Sequence, residues 1–542
     1  MNSDEFRKAA HSAIDESMFV PALLQLKPSS LPVAVIDYYD TIQDRRVVSN
    51  VEPGYLRKLL PSGPPEDGEQ WADIQKDIEA KIMPGLTHWQ SPNFMAFFPS
   101  NATYPSMLGE LYSAAFTAPA FNWLCSPAIT ELETVVLDWL ARILHLPDCF
   151  LSEGQGGGVI QGSASEAIAT VMVAARERYL TAACENLEGK EKEDKWNQIM
   201  GRLVALGSEQ SHSSTAKAAL IAGARYRSIP CSLEDDLALI GDQFQATLEQ
   251  CASEGLEPFY LTTTLGTTAT CAIDRFDEIK AVKQNNQSFH NIWIHVDAAY
   301  AGAALVCEEY AHLAKDFAVF DSFDMNMHKW LLTNFDASCL FVRTRKDLTS
   351  ALSITPSYLR NPFSDNGLVT DYRDWQIPLG RRFRALKIWF VLRTYGINGL
   401  KAHIRKHIML GEKFAGWVRQ REDLFRILTP PAFALTVFTL ALPTHEGSQL
   451  PNGDTEIKVN EGLGTSNILP KTSTDQIERA NALTKSVYES INAAGEIFLT
   501  SSVVKGVYAI RVVSANERTD EEHLRKAFDI LIKTTKEVLR KQ

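Results

Sequence analysis

The stretch NIWIHVDAAYAG, Asn291–Gly302, opens with β-branched and aromatic residues, ends that run on a carboxylate, Asp297, and then turns to small side chains. Residues of the first kind suit a pleated surface, so the run reads as a strand with Asp297 at its carboxyl end. Short β-rich runs of the same kind, RLVALGS (202–208), FYLTTTLG (259–266) and SCLFVRT (338–344), alternate with helical periodicity from about Thr103 to about Leu386. Strand alternating with helix predicts an α/β fold with a mostly parallel sheet, in which ligands gather at the carboxyl ends of the strands.

Downstream, FDMNMHKWLLTN (323–334) sets Lys329 in a mostly apolar stretch, directly after His328 and before Trp330. Most lysines in such settings bury the stem and keep the ammonium in water. In a partly dry site the pKa falls instead, and the neutral amine can condense with an aldehyde. Lys329 follows Asp297 by 329 − 297 = 32 residues, room for one helix and one further strand. Both side chains can therefore approach one ligand.

A third stretch, GVIQGSASEA (158–167), places Ser163 three residues before Glu166, a capping-box pattern that starts a helix. Free N–H groups and hydroxyls at such a start suit a phosphate, although a capped helix alone would look the same. The preceding GQGGG is no dinucleotide fingerprint, because Val159 stands where the third glycine belongs. His212, in SEQSHSS (208–214), follows a β-like run and gains meaning only from this company. His403 and His407 in HIRKH lack the metalloprotease glutamate and have basic neighbours, so no metal site is expected.

The 542 residues, 45% hydrophobic and 22% charged with a net charge of −12, describe a globular chain and argue against a nucleic-acid surface. Eight scattered cysteines, without a Cys-x-x-Cys pair, read as reduced cytoplasmic thiols. The charged amino terminus has no signal-peptide core, and no apolar run of about 18 residues suggests a membrane span. Residues 1–102 mix helical patches with turns such as LLPSGPPEDG and read as a helical segment wrapping a dimer. Residues 103–386 form the large domain, and 387–542 a smaller α+β domain carrying a polar, Gly/Pro/Ser-rich insertion near 444–474.

A strand-end Asp, a His-Lys pair, a Gly-Ser-x-Ser helix start and an upstream His make up a kit for pyridoxal 5′-phosphate. The chain resembles the group II pyridoxal-phosphate decarboxylases, specifically the aromatic L-amino-acid decarboxylases. The resemblance runs through MPGLTHWQSPNF, GVIQGSASEA, TLGTT, HVDAAYAG, HKWLL and TDYRDWQIPLGRRFRALKIWFVLRTYG, and covers nearly the whole length except the insertion. It implies PLP fold type I, the aspartate aminotransferase-like fold, as a homodimer. Lys329 would hold the cofactor as a Schiff base, Asp297 would pair with the pyridine nitrogen, and His212 and Ala299 would cover the two ring faces. Ala164 and Ser165 would bind the phosphate, with Thr264, Asn326 and His328 also touching the cofactor. Phe97, Phe98, Ser100 and Phe121 match positions lining the aromatic pocket, some across a dimer interface, and Gly380 matches a position that sets pocket depth. Tyr358 matches a mobile-loop tyrosine that donates a proton. The implied reaction is decarboxylation of tryptophan, 5-hydroxytryptophan, DOPA or tyrosine to the arylalkylamine.

Three other readings compete. An aromatic acetaldehyde synthase would share every motif, but its loop tends to carry Phe where Tyr358 stands. A non-catalytic dimeric binding protein would not fill every key position. A nicotinamide-dependent reductase is weakened by the incomplete glycine fingerprint.

Overall fold

In a computed structural model, the run ending at Asp297 is a fully buried strand in the middle of a seven-stranded sheet. The structure describes residue 5 and residues 30–354, 356, 359–441 and 474–541. The strands are β1 (Gly157–Gln161), β2 (Leu203–Ser208), β3 (Arg225–Ile229), β4 (Glu257–Thr264), β5 (Trp293–Asp297), β6 (Ser322–Asn326) and β7 (Ser338–Val342). Their order across the sheet is β1-β7-β6-β5-β4-β2-β3. Only β7 runs against the other six, so the sheet is mostly parallel and the carboxyl ends of β1, β2, β4, β5 and β6 share one edge.

Helix Ala164–Ala183 lies across one sheet face, where its Ala167, Val171 and Ala175 join Val159, Tyr260, Trp293 and Leu340 in a buried cluster. Sheet residues two apart share a face. Trp293 on that face therefore puts Asp297 there too, beneath the amino-terminal end of the helix. The opposite face is sealed by a larger cluster that includes Leu137, Leu140, Ile294, Val296 and Phe323.

The helical segment Arg384–Arg419, broken at Gly396 (φ 61°), leads from the large sheet to a second one. Strands β8 (Phe425–Ile427), β9 (Leu435–Leu440), β10 (Thr500–Val504) and β11 (Val507–Val513) pair antiparallel in the order β10-β11-β9-β8. Helices Thr474–Ala494 and Glu521–Arg540 pack with them around Phe414, Phe438, Leu483, Ile510 and Phe528. Apart from Thr474, where a helix begins, the insertion near 444–474 lies outside the described residues.

Within this chain, part of the amino-terminal segment is tied to the smaller unit. Arg46 donates Nη1 to Ala494 O at 2.8 Å and Nη2 to Ala493 O at 2.7 Å, and Met95 N–H donates to Phe498 O at 2.9 Å. Among the described residues no helix is long and apolar enough to cross a membrane, and no group of three or more His, Cys, Asp or Glu side chains could hold a metal.

Candidate active site

The parallel register brings the chemistry to one sheet edge. Thr264 on β4 pairs with Asp297 on β5, and Asp297 with Asp324 on β6. Asn326 pairs with Ser338 on β7, and Ser338 with Gln161 on β1. All six side chains share the face beneath helix Ala164–Ala183. Five of them leave a buried polar atom without a partner: Thr264 Oγ1, Asp324 Oδ2, Asn326 Oδ1, Ser338 Oγ and Gln161 Nε2. Buried polar atoms are seldom orphaned, so such a row marks a place for a polar ligand. Asp297 accepts one hydrogen bond, from Ala299 N–H at 3.0 Å, which leaves its other oxygen for that ligand.

Lys329 lies on the short turn of helix Met327–Trp330 that follows β6. Burial lowers its pKa, with Asp297 and Asp324 opposing the shift, so neutral amine is available at a lower pH than for a lysine in water. The turn is held from several sides. Asn101 donates Nδ2 to Lys329 O at 2.6 Å and its N–H to His328 O at 3.0 Å, while Thr103 Oγ1 donates to Leu332 O at 2.7 Å. His328 Nδ1 accepts Ala337 N–H at 2.9 Å; burial first, then the Lys329 charge, push its pKa down to about 3, so the ring stays neutral.

Ser163 caps its helix as the sequence predicts, accepting Glu166 N–H at 3.2 Å. The return arm differs from a standard capping box, because Glu166 Oε2 accepts from Gly162 N–H at 2.9 Å instead of from Ser163. Ala164 and Ser165 start the helix, so their N–H groups have no intrahelical acceptor. In TLGTT, Gly266 has φ 86°, and a Cβ there would come within 2.4 Å of Ala301 Cβ. Only glycine lets that loop pass so close to the residues following Asp297.

Lys329, His212, His328, Phe97, Phe98 and Ser100 line a cavity of about 480 Å³ at this edge. His212 Nδ1 accepts Ser214 N–H at 3.2 Å, which puts the ring proton of the neutral form on Nε2. Partial desolvation lowers its pKa, with Lys329 and Lys217 adding to the shift and Asp297 opposing it. The Phe98 ring centroid is 5.7 Å from Lys329 Nζ, and Phe97 stacks on Trp89 at 5.5 Å, so one wall is aromatic. Phe97 holds this place at φ 52°, an unusual conformation for a bulky residue and one that often marks a functional site. Asp297, Ala299, Thr264 and Asn326 are buried beneath.

Phe121 and Gly380 are not on the cavity wall of their own chain. Gly380 is exposed, and its nearest foreign contact would be Pro119, 3.9 Å from a built Cβ. Tyr358 lies outside the described residues.

Several site residues were not singled out from the sequence. Arg511 of β11 lines the cavity, donating to Thr268 O at 2.7 Å, Ala269 O at 3.0 Å and Thr500 Oγ1 at 2.9 Å. Behind Lys329, Tyr300 and Trp330 extend a stack from the predicted Phe98, with centroids 3.8 and 4.7 Å apart. Asn101, His295 and Asp324 complete the set. Of these, His295 and Asp324 had a signal in the sequence: each stands two positions before a predicted site residue, Asp297 or Asn326, in the same strand, and so on the same face.

The donor set fits a phosphorylated pyridine aldehyde: a carboxyl group with a free oxygen, a half-buried amine and a cluster of free N–H groups, each at one sheet edge. Enzymes that carry such a cofactor on lysine form the class defined here. Within it, the chain belongs to the pyridoxal-dependent decarboxylase family, whose conserved domain matches residues 53–441, and its cofactor is pyridoxal 5′-phosphate. It is 39% identical to tyrosine decarboxylase 2 of Narcissus pseudonarcissus over 98% of this chain and 94% of that protein. It is also 39% identical to phenylacetaldehyde synthase of Arabidopsis thaliana, over 98% and 96%. The crystal structure of Oryza sativa TDC with PLP and tryptamine superposes with a TM-score of 0.83 at 34% identity, covering 99% of both chains. The nicotinamide reductase reading is thereby set aside.

Proposed function

We propose that the protein decarboxylates aromatic L-amino acids to arylalkylamines and CO₂. The observation that carries this is the placement of Lys329 Nζ 5.7 Å from the Phe98 ring in a cavity walled by Phe97 and Phe98, beside the partly free carboxylate of Asp297. A flat aromatic side chain gains from such a wall.

Lys329 Nζ would hold the cofactor at its carbonyl, the N–H groups of Ala164 and Ser165 would take its phosphate, and Thr264, Asn326 and His328 would meet its edges. When bound, pyridoxal 5′-phosphate supplies the electron sink for the pair left at the α-carbon as CO₂ departs. Asp297 would keep the ring nitrogen protonated through its free oxygen. Ala299 would cover one ring face and His212 the other, with the His212 proton at Nε2. Tyr358 returns a proton to the α-carbon, with His212 Nε2 as the alternative donor.

A homodimer is part of this reading. Phe116, Leu124, Ile377 and Leu379 are each at least 48% exposed, and a second copy covering them would bring Phe121 and Gly380 toward a cavity. Eight free cysteines support a reducing, cytoplasmic setting.

The relationship to a phenylacetaldehyde synthase favours one second reading, in which the amino acid, O₂ and water give aldehyde, CO₂, ammonia and H₂O₂. One assay separates the two: purified protein with tryptophan, 5-hydroxytryptophan, DOPA, tyrosine or phenylalanine, scored for amine, CO₂ and peroxide. Amine and CO₂ in equal amounts without peroxide are expected. Peroxide matching CO₂ moves the protein to the synthase reading, and no CO₂ from any of the acids overturns both.

A further inference from the structure

Asp324 and Asp297 are register partners on adjacent parallel strands, with both side chains on the face beneath helix Ala164–Ala183. Neighbouring strands lie about 4.8 Å apart, so two buried carboxylates stand one strand spacing from each other. Both cannot ionise cheaply in such a place. Which one keeps a proton is decided by a hydrogen-bonded chain behind them.

Trp293 donates its indole N–H to Ser322 Oγ at 2.8 Å, and Ser322 Oγ lies 2.8 Å from His295 Nδ1. In a neutral His295 ring that carries its proton on Nε2, Nδ1 accepts the Ser322 hydroxyl proton, while the indole N–H occupies a lone pair of the same Oγ. His295 then carries its proton on Nε2 and gives it to Asp324 Oδ1 at 3.0 Å. In this tautomer His295 adds no positive charge beside Asp324. Trp293, Ser322 and Asp324 are all buried, His295 and Asp324 completely, and Asp324 Oδ2 has no partner. Asp297, by contrast, keeps a backbone N–H donor.

We propose that Asp324 is the proton-holding member of an acid pair with Asp297: His295 fixes one oxygen, the other carries the proton, and Asp297 alone presents negative charge to the cofactor. Asp324 is thus a positioning residue, acting through Asp297. The inference rests on the reading that Asp297 faces the ring nitrogen.

The titratable groups facing Asp324 are Asp297 and His295 on β5, Lys329 after β6 and Tyr260 on β4, with Cys339 of β7 on the opposite face of the sheet. The charged residues of the covering helix bond elsewhere: Glu166 to Gly162, Arg176 to Glu177 and Ala222, and Arg178 to Asp321 and Asp347. Burial first, with Asp297 adding to it and His295 opposing it, raises the Asp324 pKa to about 6, so Asp324 keeps the proton up to about that pH and gives it up above. A carboxyl whose folded pKa lies above its unfolded value holds its proton more tightly when folded, so the folded state loses stability as pH rises toward and through about 6.

The test uses Asp324→Asn, which keeps an oxygen for His295 Nε2–H and mimics the neutral acid. Apo-protein is prepared from wild type, Asp324→Asn and Asp297→Asn, and its affinity for pyridoxal 5′-phosphate is measured at pH 6, with its Tm followed from pH 5 to pH 8. Asp324→Asn should bind the cofactor within about threefold of wild type, and its Tm advantage should grow with pH, reaching at least about 2 °C at pH 8. Cofactor binding tenfold or more weaker, or a Tm difference that is flat or shrinks with pH, overturns the proposal. Asp297→Asn should bind at least tenfold more weakly. If it binds like wild type, the ring-nitrogen reading falls, while the Tm comparison still judges Asp324 by itself.

Discussion

Trp330, the residue after Lys329, donates its indole N–H to His407 Nδ1 at 3.0 Å, joining the candidate nucleophile's turn to the long helical segment 77 positions away. Burial pushes the His407 pKa well below its ordinary value, so the ring is a neutral acceptor throughout the working pH range. His407→Leu would leave a buried indole N–H unpaired, at a cost of about 1–3 kcal/mol. Denaturant unfolding should register that loss. Adding Trp330→Phe should restore part of it, since the orphaned donor is then gone. A double variant less stable than His407→Leu by the full cost of Trp330→Phe would mean that the bond contributes nothing.

Lys329→Ala should abolish both amine formation and the near-visible absorption of lysine-bound cofactor, while circular dichroism stays unchanged. The amine is one tip of a turn whose carbonyls are held by Asn101 and whose next residue is held by His407, so its loss disturbs no backbone contact. Steady turnover by this variant without added amines would remove Lys329 from the chemistry.

Much of this site could be read from neighbouring residues, because strand ends and helix starts are local features. Asp297 closes a β-branched run, and Ser163 precedes Glu166 by one turn of helix. What stayed hidden depends on partners far apart in the chain. Asn101 reaches Lys329 across 228 positions and Arg511 reaches Ala269 across 242, distances over which spacing carries no signal. The His295–Asp324 bond needed the parallel register of β5 and β6, which periodicity alone does not define. The amino-terminal segment had no visible core because its partners, such as Ala494 and Phe498, come at the other end of the sequence.

The pH dependence of cofactor attachment should follow the charges around Lys329. Burial lowers its pKa, and Asp297 is the foremost group opposing this, so Asp297→Asn should lower it further. With saturating pyridoxal 5′-phosphate, the rate of attachment to apo-protein rises with the fraction of neutral amine. The midpoint of that rise, followed by stopped-flow absorbance, should move to lower pH in the variant. A midpoint that stays put or moves up would show that Asp297 does not act on the amine.

His212 should matter more to kcat than to KM. Its Nδ1 is engaged by Ser214, so the proton on Nε2 is the one available at the cavity. His212→Gln keeps a donor but cannot relay a proton in the same way, and general acid–base contributions are typically worth about a hundredfold or more. A kcat within threefold of wild type, with KM raised instead, would assign His212 to stacking alone.

Gly380→Ser tests substrate choice and assembly together. A Cβ at Gly380 would make one ordinary contact, 3.9 Å from Pro119, and the residue is exposed within its own chain. Serine therefore fits there without strain, and the variant's Tm should match wild type. If a second copy brings this position to a cavity, the added atoms shorten the space for an indole, and overfilling a packed site costs about 1–3 kcal/mol. The ratio of kcat/KM for tryptophan to that for tyrosine should then fall by about tenfold, the equivalent of about 1.4 kcal/mol in differential transition-state binding. Sedimentation of the same sample fixes the assembly state. A dimer with an unchanged ratio would move depth control to Phe97 or Phe98 on the cavity wall, and an active monomer would remove any route by which Gly380 reaches a substrate.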